Sequence, residues 1–600
     1  MVSANLTAMV LAGVLLVSAG FVFLLALAAL SDKEPEPVVT GDAVLVLDLW
    51  MNIADSPETE TLADVLDAAV YGADIPEMYL LEVVDAIDRA SSDDRIQALY
   101  LSGSLMPSNY GSGIAALREV RQAIERFSDS GKPVYAYAID PTIRDYYLMS
   151  AADTVYLNPF GLLSLNGLAS EMMYFGDAFE KYGIGVQTTR VGKYKSAVEM
   201  FTENKMSAAN REQITQLVDI LWGEILEDIG DGRGIEINEL KALTNAQGFF
   251  TAELAVEMGL VDESAYLDEV IDFLTYEYGY DANIQSFVQV SISDYADREG
   301  FDTEERDGPS QVAVVYAEGD IVNGEGFENQ VGGDRLAREL RRLRYDPNVV
   351  AVVLRVNSPG GSAVASEVIQ REVRLLQEEK PVVVSMGAMA ASGGYWISTY
   401  ADRIFAEPTT ITGSIGVWGL LFDIKDLANE HGVTFDGVKT SQYADLFTLS
   451  RPKTPEEMAK VQQLTDMIYD EFLIRVIEGR GLSEAQVKEI AQGRVWSGVS
   501  ALEIGLVDEI GGLGDAIHYA AVQAGVLESF TVVQVPEEKS VGENLLELLA
   551  APHTQPPVVM SRHDVLSQAL DILESELAMV RSFNDPRGVY ARLPFSLSLQ

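Results

Sequence analysis

Ser392 lies in a run of small residues where a strand-like segment gives way to a helix-like one. The run reads MGAMAASGGYW from Met386 to Trp396. Small neighbours leave room around a serine hydroxyl, and backbone N–H groups at the start of a helix would face a group bonded to it. A serine here is also a common N-cap, and the run lacks the Gly-x-Ser-x-Gly pattern of a nucleophile elbow. Ser392 is therefore a candidate nucleophile, with an ordinary helix cap as the alternative.

A serine needs a base to act as a nucleophile at neutral pH, and the histidines of this chain are poor candidates. None of the four has motif-like surroundings, so a surface or structural role is the ordinary interpretation of each. They are His431, His518, His553 and His563. We therefore expect no Ser-His-Asp triad.

Lysine is the remaining candidate for the base. Lys195 lies in the segment KYKSAVE, and Lys193 and Lys439 are its competitors. A lysine acts as a base only when it is neutral, so its pKa must fall from ~10.4 towards about 7–8 through burial or like charge. Burial between two domains would have this effect. From the spacing alone, each of the three is more typical of a solvated charge, and the choice among them stays open.

A glycine-rich segment, NSPGGS at 357–362, follows a buried strand-like run and precedes a helix-like one. Adjacent glycines let backbone N–H groups approach a ligand closely, and the start of a helix adds positive potential. The segment is a candidate oxyanion hole, with an ordinary strand-to-helix turn as the alternative.

The chain contains one folding unit twice. GKPVYAYAIDPTIRDYYLMSAADTVYLNP from Gly131 corresponds to EKPVVVSMGAMAASGGYWISTYADRIFAEP from Glu379. The segment 191–202 corresponds in the same way to 438–448, and GLVDE occurs once in each copy. The repetition predicts two similar domains.

The two copies have lost opposite halves of one candidate site. At the position of Ser392 the first copy has Ile143 or Arg144, and at the position of Lys195 the second copy has Ser441. A candidate nucleophile therefore remains in one repeat and a candidate base in the other.

Short β-branched strands alternate with amphipathic helices in each unit. Val349–Val356 reads as a strand, Ala363–Gln377 as a helix and Val382–Ser385 as the next strand. Such alternation predicts an α/β fold with largely parallel sheets covered by helices. Longer helical spacing covers Arg211–Asp231 and Glu456–Arg480.

We predict four segments along the chain. The apolar segment 6–30 comes first, followed by a first repeat at 41–298, a second repeat at 311–540 and a C-terminal extension at 541–600. The polar, turn-rich run DTEERDGP at 302–309 is the predicted linker between the repeats.

Composition excludes several classes of function. A formal net charge of −50 argues against nucleic acid and against a polybasic contact with anionic lipid. The absence of cysteine excludes disulfides, thiolate catalysis and cysteine-ligated metals. Hydrophobic residues make up 48% of the chain and charged residues 22%, which is typical of globular protein.

Residues Leu6 to Leu30 contain no charge, and the run is long enough to span a bilayer as a helix. Only five residues precede it, which favours a short cytoplasmic tail with the bulk of the chain outside. A cleaved signal peptide is the alternative, because Ala26-Leu27-Ala28 resembles a cleavage site. The length of the apolar run favours an uncleaved anchor.

Four motifs together resemble one known family. They are YKSAVE (194–199), NSPGG (357–361), MAASGGYW (389–396) and TGSIGV (412–417). With the duplication and the N-terminal apolar run, the chain resembles the long, duplicated (67K-type) form of the signal peptide peptidase A family, peptidase family S49. The resemblance covers nearly the whole chain.

The resemblance implies a membrane-anchored serine endopeptidase with two tandem crotonase/ClpP-like repeats. By similarity, Ser392 matches the nucleophile and Lys195 the general base. The oxyanion would be held by Gly393 with Gly360 or Gly361, and Ser414 would orient the lysine.

The same resemblance implies peptide substrates, namely cleaved signal peptides and other small or unfolded peptides, and neither a metal nor a cofactor. It also implies a bowl-shaped homotetramer in the bacterial inner (cytoplasmic) membrane, with the catalytic part outside the cytoplasm, in the periplasm.

Two other functions are kept as alternatives. A crotonase-type enzyme acting on an acyl thioester would share the oxyanion loop, but it gives no reason for pairing Ser392 with Lys195. An inactive membrane scaffold would use the repeats only to oligomerise.

Overall fold

The computed structural model describes residues 41–57, 76–299, 310–327, 329–535 and 589–593. The predicted anchor at 6–30, the predicted linker at 302–309 and most of the predicted extension at 541–600 lie outside the described residues. Within the described ranges, no helix combines the length and apolar character needed to cross a membrane.

Strands and helices alternate through the first repeat, as predicted from its sequence. In chain order they are β1 (Ala43–Asp48), β2 (Asn52–Ala54), β3 (Glu77–Tyr79), α1 (Leu80–Ser92), β4 (Ile96–Ser102), α2 (Ile114–Asp129), β5 (Val134–Ala138), α3 (Ile143–Met149), β6 (Thr154–Leu157), β7 (Leu162–Ser164), α4 (Gly176–Lys181), β8 (Gly185–Val191), α5 (Glu199–Thr202), α6 (Ala208–Arg233), α7 (Ile237–Ala246), β9 (Phe249–Thr251), α8 (Ala252–Glu257), β10 (Glu263–Ser264), α9 (Leu267–Tyr278), β11 (Tyr280–Asp281), β12 (Ser286–Phe287), β13 (Gln289–Ser291) and α10 (Ile292–Glu299).

The second repeat follows the same alternation and is joined by one strand from the C-terminal segment. Its elements are β14 (Gln311–Glu318), β15 (Asp320–Val322), β16 (Gln330–Gly332), α11 (Gly333–Tyr345), β17 (Val349–Ser358), β18 (Gly360–Ser362), α12 (Ala363–Gln377), β19 (Val382–Ala391), α13 (Gly393–Ser398), β20 (Arg403–Ala406), β21 (Ile411–Gly413), β22 (Val417–Asp423), α14 (Lys425–Glu430), α15 (Pro455–Arg480), α16 (Glu484–Ile490), β23 (Val495–Ser497), α17 (Gly498–Glu503), β24 (Glu509–Ile510), α18 (Leu513–Ala524), β25 (Thr531–Val535) and β26 (Val589–Arg592).

Each repeat is built on its own parallel sheet. The first has the strand order β10-β6-β5-β4-β1-β13, and the second has the order β23-β21-β19-β17-β14-β25. Within these orders only the β21–β23 pair is antiparallel. Runs of consecutive buried residues along β14, β17 and β19 match the burial of both faces that helices impose on a parallel sheet. The predicted α/β fold with parallel sheets is confirmed.

A third sheet joins the two repeats. Its order is β16-β15-β18-β26-β22-β8, so a strand of the first repeat, β8, lies in a sheet otherwise formed by the second repeat and the C-terminal segment. β8 and β22 pair antiparallel along their whole length, from Gly185 opposite Asp423 to Val191 opposite Val417. This pairing brings the chain after Val191 to the residues that precede Val417.

The apolar spacing correctly predicted the long elements. Ala363–Gln377 is helix α12. The predicted helix at 211–231 is α6, which is longer at both ends, and the predicted helix at 456–480 is α15, which begins one residue earlier. The strand predicted to end at Ser385 continues to Ala391 as β19. That extension carries the chain directly to Ser392. The four segment boundaries proposed from the sequence stay predictions.

Candidate active site

Ser392 stands between strand β19 and helix α13 in a conformation that few non-glycine residues adopt. Its φ is 56° and its ψ is −110°, and such backbone strain concentrates at functional sites. Its N–H donates to the carbonyl oxygen of Gly413 at 2.8 Å. Its side chain makes no capping hydrogen bond to α13. Ser392 therefore occupies the N-cap position of α13, but its side chain does not cap the helix.

Lys195 lies in the loop that follows β8. The N–H of the preceding residue, Tyr194, donates to the carbonyl oxygen of Gln492 at 3.0 Å, which attaches this loop to the second repeat. Gly493 has φ of 76°, and a Cβ on it would come within 2.6 Å of the Lys195 Cβ. Only glycine therefore lets the two segments approach so closely.

The two candidate residues meet in a fully buried site. Lys195 Nζ lies 2.7 Å from Ser392 Oγ, although 197 residues separate them in sequence. Nζ also donates to the carbonyl oxygen and to the hydroxyl oxygen of Ser414, each at 2.9 Å. None of the three residues is accessible to solvent. Three of the six predicted site residues thus share one hydrogen-bonded cluster.

The environment of Lys195 favours a neutral amine. Burial lowers the pKa of Lys195 well below its ordinary value, and the positive charge of Arg592 lowers it further. Burial removes the water that would stabilise an ammonium ion, and Nζ contacts only hydroxyl and carbonyl oxygens. The site can therefore supply a base next to a hydroxyl.

The two competing lysines lie outside the buried site and have the surroundings of ordinary surface lysines. Lys193 is exposed and lies 4.6 Å from the centroid of the Tyr194 ring. Lys439 is 42% exposed and forms an ion pair with Asp445 at 2.8 Å.

The two histidines that the structure describes also lie outside the buried site. His431 and His518 are both exposed, while His553 and His563 lie outside the described residues.

The predicted oxyanion residues lie side by side. Gly360 has φ of 97°, and a Cβ on it would come within 2.6 Å of the Gly393 nitrogen. The N–H of Gly360 donates to Ser358 Oγ at 3.2 Å within its own loop. Gly361 is the next residue of β18, opposite Ala591 of β26. The loop and the start of α13 are therefore adjacent, and the role of each glycine stays a prediction.

The C-terminal strand β26 lies along this glycine loop. It pairs antiparallel with β18 on one side and with β22 on the other. Beyond it, the N–H of Leu593 donates to the carbonyl oxygen of Pro359 at 2.7 Å. The sequence contained no signal for this strand, because it is four residues long within a segment of unassigned role.

Two apolar features lie beside β26 and the glycine loop. Leu593 is buried in a cluster with Leu217 and Leu221 of helix α6 and with Ala391, the residue before Ser392. A cavity of about 450 Å³ opens beside it, lined by residues of both repeats such as Ile225 and Met389. The cavity reaches Arg592 of β26 and Leu221. The place of β26 between β18 and β22, together with this cavity, is called the groove.

The structure also adds one residue that sequence reasoning missed. Asn357, at the start of the glycine loop, donates its side-chain N–H to Asp55 of the first repeat at 2.8 Å. Asp55 belongs to none of the motifs above, so no local pattern could have identified it.

A family profile matches the chain in two places. The profile of Peptidase family S49 matches residues 126–279 and again residues 374–527. The matches fall in the two predicted repeats, which accords with the duplication.

Relatives match over most of their length. "Protease 4" of Haemophilus influenzae is 36% identical, with 95% of this chain and 94% of that protein covered. "Protease 4" of Salmonella typhi is 34% identical, with 92% and 90% covered. "Serine protease SPPA, chloroplastic" of Arabidopsis thaliana is 31% identical, with 84% and 72% covered.

Among solved structures, a mutant ClpP1 from Listeria monocytogenes covers 35% of this chain and 95% of its own. Its sequence identity is 16% and its TM-score 0.24, which is too low to support an argument about fold. Family membership is shown by the two family matches and by relatives at 34% and 36% identity over nearly their full length. The chain therefore belongs to Peptidase family S49, of which it carries two domain copies, and it is a serine peptidase.

Proposed function

We propose that Ser392 is the nucleophile and Lys195 the general base of a Ser-Lys dyad. The observation that carries the proposal is the distance of 2.7 Å between Lys195 Nζ and Ser392 Oγ in a site closed to solvent. A base must lie within hydrogen-bonding reach of the proton that it removes. Each repeat supplies one of the two groups, so neither repeat alone contains a complete site.

The three contacts of Nζ suit a neutral amine. A neutral amine has two N–H donors and one lone pair. The carbonyl oxygen of Ser414 can only accept, and its hydroxyl oxygen can accept the second N–H. The lone pair is then directed at Ser392, whose O–H donates to it. Lys195 would take that proton as Ser392 Oγ attacks a peptide carbonyl.

The remaining steps follow from the same geometry. The backbone N–H of Gly393, with that of Gly360 or Gly361, would hold the negative oxygen of the tetrahedral intermediate. In the structure the N–H of Ser392 donates to Gly413 and that of Gly360 donates to Ser358 Oγ, so either group would have to leave its partner to hold this oxygen. Protonated Lys195 would then give its proton to the leaving amine and later remove one from the water that releases the acyl-enzyme.

Peptides would bind in the groove by adding a strand. β26 supports this, since it already pairs with β18 and β22 in the way an extended peptide would. The apolar surroundings of Leu593 favour leucine- and alanine-rich chains. We therefore propose cleaved signal peptides, together with other small or unfolded peptides, as the substrates.

We further propose a ClpP/crotonase-like architecture for the repeats and a homotetrameric assembly, both supported by the family resemblance. The apolar run at 6–30 supports a single-pass anchor in the bacterial inner membrane. The family resemblance supports a catalytic part in the periplasm. Detergent extraction of the full chain, followed by sedimentation analysis, tests the anchor and the assembly.

Two matched variants test the dyad. Ser392→Ala and Lys195→Ala are compared with the unmodified protein for hydrolysis of an apolar peptide ester, and circular dichroism verifies folding. Both variants should lose activity by at least about 10³-fold. A fluorophosphonate probe should label the unmodified protein at Ser392 and leave Ser392→Ala unlabelled. Full activity in either folded variant would refute the dyad.

The two alternatives predict different results in the same assays. An acyl-thioester enzyme of the crotonase type would hydrolyse or hydrate a thioester and show no labelled serine. An inactive scaffold would show neither hydrolysis nor labelling. Membership of a peptidase family, with nearly full-length relatives named as proteases, argues against both alternatives.

A further inference from the structure

A buried ionic network crosses from the first repeat to the loop beside Ser392. The carboxylate of Asp55 follows β2 of the first repeat and is 2% exposed. One of its oxygens accepts from Arg355 Nη2 at 2.7 Å, and the other accepts from Asn357 Nδ2 at 2.8 Å. Both partners belong to β17 of the second repeat. Asp55 therefore contacts the strand that leads directly into the glycine loop.

Asn357 connects two segments that the proposed reaction needs. It immediately precedes Ser358 and Pro359, and its side-chain oxygen accepts from the N–H of Met389 at 3.3 Å. Met389 lies three residues before Ser392 on β19. The side chain of Asn357 thus holds the glycine loop against the strand that delivers the serine.

Asp55, together with the carbonyl oxygen of Tyr110 at 3.4 Å from the same Nδ2, determines which way the Asn357 amide faces. A carboxylate accepts hydrogen bonds and donates none, so the NH₂ group of Asn357 must face Asp55 and its oxygen must face Met389. Reversal of the amide would place oxygen against carboxylate and N–H against N–H. The bond to β19 therefore depends on a residue of the other repeat.

The second repeat is shaped to receive this carboxylate. A Cβ on Gly387 of β19 would come within 2.5 Å of Asp55 Oδ2, so the strand has space for the carboxylate only because it carries no side chain there. Arg355 is itself fully buried, and its Nη2 is shared between Asp55 and the buried Glu119, whose carboxylate oxygen lies 2.9 Å away. The same guanidinium also contacts Ser385 Oγ at 2.8 Å. A buried carboxylate with both oxygens satisfied and a cation beside it is a stable arrangement.

We propose that Asp55 is a positioning residue for the reaction at Ser392. Through Asn357 it holds the glycine loop in the register with β19 that lets Gly360 or Gly361 and Gly393 face the same oxygen. The proposal rests on the dyad and oxyanion roles given above. It adds that the first repeat contributes the alignment of the oxyanion site as well as the base.

The test separates alignment from simple loss of stability. Asp55→Asn keeps the size of the side chain, but its amide can place an NH₂ group against the NH₂ group of Asn357. Glu407→Gln is the matched control, since Glu407 is also buried and also bonds across the repeats, to Arg118 at 2.8 Å, but it does not touch Asn357. Thermal unfolding and hydrolysis of an apolar peptide ester are measured for both at about pH 9, above the pKa of about 8 of Glu407, so that both substitutions remove a negative charge.

Asp55→Asn should lower kcat by about 10–100-fold with KM changed by less than about threefold, because the loss falls on the transition state. A peptide boronate, which forms a tetrahedral adduct with Ser392, should bind more weakly by about the factor lost in kcat/KM. The affinity for an uncleaved peptide in the Ser392→Ala background should not change. Glu407→Gln should keep kcat within about threefold whatever its unfolding temperature.

A mutant cycle checks the route through Asn357. If Asp55 acts through that side chain, Asp55→Asn combined with Asn357→Ala should be no slower than Asn357→Ala alone. Additive losses would overturn the proposal. So would a normal kcat in Asp55→Asn, or a loss that Glu407→Gln reproduces.

Failure of the underlying dyad would look different. If Ser392→Ala were as active as the unmodified protein, the proposed function would be refuted and the positioning role with it. A normal kcat in Asp55→Asn, in a protein that requires Ser392, would overturn the positioning role alone. Should Asp55→Asn fold poorly, Asn357→Ala with the same boronate measurement decides between the outcomes.

Discussion

Ser414 presents two acceptors to Lys195: its carbonyl oxygen and its hydroxyl oxygen each lie 2.9 Å from Nζ. One residue therefore engages both N–H groups of a neutral amine. Ser414 has φ of 51°, and its own N–H donates to the carbonyl oxygen of Arg494 at 2.7 Å. The segment before β22 is held so that both oxygens face the lysine.

Replacing Ser414 tests whether it orients the amine. Ser414→Ala removes one acceptor and leaves the carbonyl oxygen, so Lys195 would keep its place but lose one constraint on its lone pair. Loss of one buried hydrogen bond corresponds to about 1–3 kcal/mol, and we expect kcat to fall by about 10–100-fold. The measurement is steady-state hydrolysis of a peptide ester.

Ser398→Ala is the control for that change. Ser398 is equally buried and donates to the carbonyl oxygen of Gly394 at 2.8 Å, away from the lysine. Its replacement should leave kcat within about threefold. Equal losses in the two variants would argue that Ser414 acts only through stability.

The pH dependence of hydrolysis should follow the neutral form of Lys195. Because burial lowers the pKa of Lys195 below its ordinary value of 10.5, the neutral fraction rises with pH through a limb below that value. kcat/KM for a substrate without ionisable groups should therefore increase along this limb and then level off. Measurement from about pH 5 to pH 10 is sufficient, and a flat profile between about pH 6 and 9 would contradict the lysine base.

Lys195 should also make stability depend on pH. Between the lowered folded-state pKa and the unfolded value of 10.5, the unfolded chain holds a proton that the folded protein lacks. The free energy of unfolding therefore rises with pH in this window. Below the folded-state pKa both states are protonated, and this contribution to the slope disappears.

Replacing Lys195 by methionine removes that dependence. The free energy of unfolding of Lys195→Met should exceed that of the unmodified protein most at the acidic end of the window. This difference should shrink towards about pH 10. Denaturant unfolding at several pH values measures this difference. A stability difference between the two proteins that does not vary with pH would show that burial does not shift the pKa of the lysine.

Part of this arrangement could be predicted from the sequence, and part could not. The spacing that defined α12 and α15 is local, so the sequence alone predicted these helices well. The meeting of Lys195 and Ser392 has no local signal. Spacing left three lysines open, and only the family resemblance selected one. In the structure the choice follows from the pairing of β8 with β22.

Asp55 was beyond prediction for the same reason. It is one aspartate after a three-residue strand, and its partner Asn357 is 302 residues away. A polar residue that acts through a distant side chain leaves no periodicity and no motif. Its position becomes meaningful only when the two repeats are packed together.

Glu407 should make the stability of the interface between the repeats fall as pH rises from about 4.5 to about 8. Burial raises the pKa of Glu407 to about 8, with the charge of Glu119 acting in the same direction and Arg118 opposing both. Between the ordinary value of 4.5 and about 8, the folded state holds a proton that the unfolded state lacks. Stability therefore falls as pH rises through this window, by up to ~5 kcal/mol.

Glu407→Gln mimics the protonated carboxyl and should flatten this fall. The unfolding temperatures of the two proteins should be similar near about pH 5 and diverge by about pH 8, with the glutamine variant higher. Glu378→Gln, on an exposed helix end, serves as a control for the loss of a negative charge. Parallel curves for the unmodified protein and Glu407→Gln would contradict an elevated pKa.

The C-terminal strand should compete with substrate. β26 occupies the groove between β18 and β22, with Tyr590 packed 5.0 Å from Trp418 and Leu593 buried beside Ala391. A tethered strand competes at an effective concentration of the order of millimolar. A chain that ends at residue 588 should therefore show a lower KM for peptides, by severalfold, with little change in kcat measured on the plateau of the pH profile. Free peptide VYARL should raise KM again, and a scrambled peptide should not.

The truncation also removes Arg592, whose positive charge lowers the pKa of Lys195. The rising limb of the pH profile of kcat/KM should therefore move to higher pH. An unchanged KM with an unmoved limb would mean that β26 lies outside the path of the substrate.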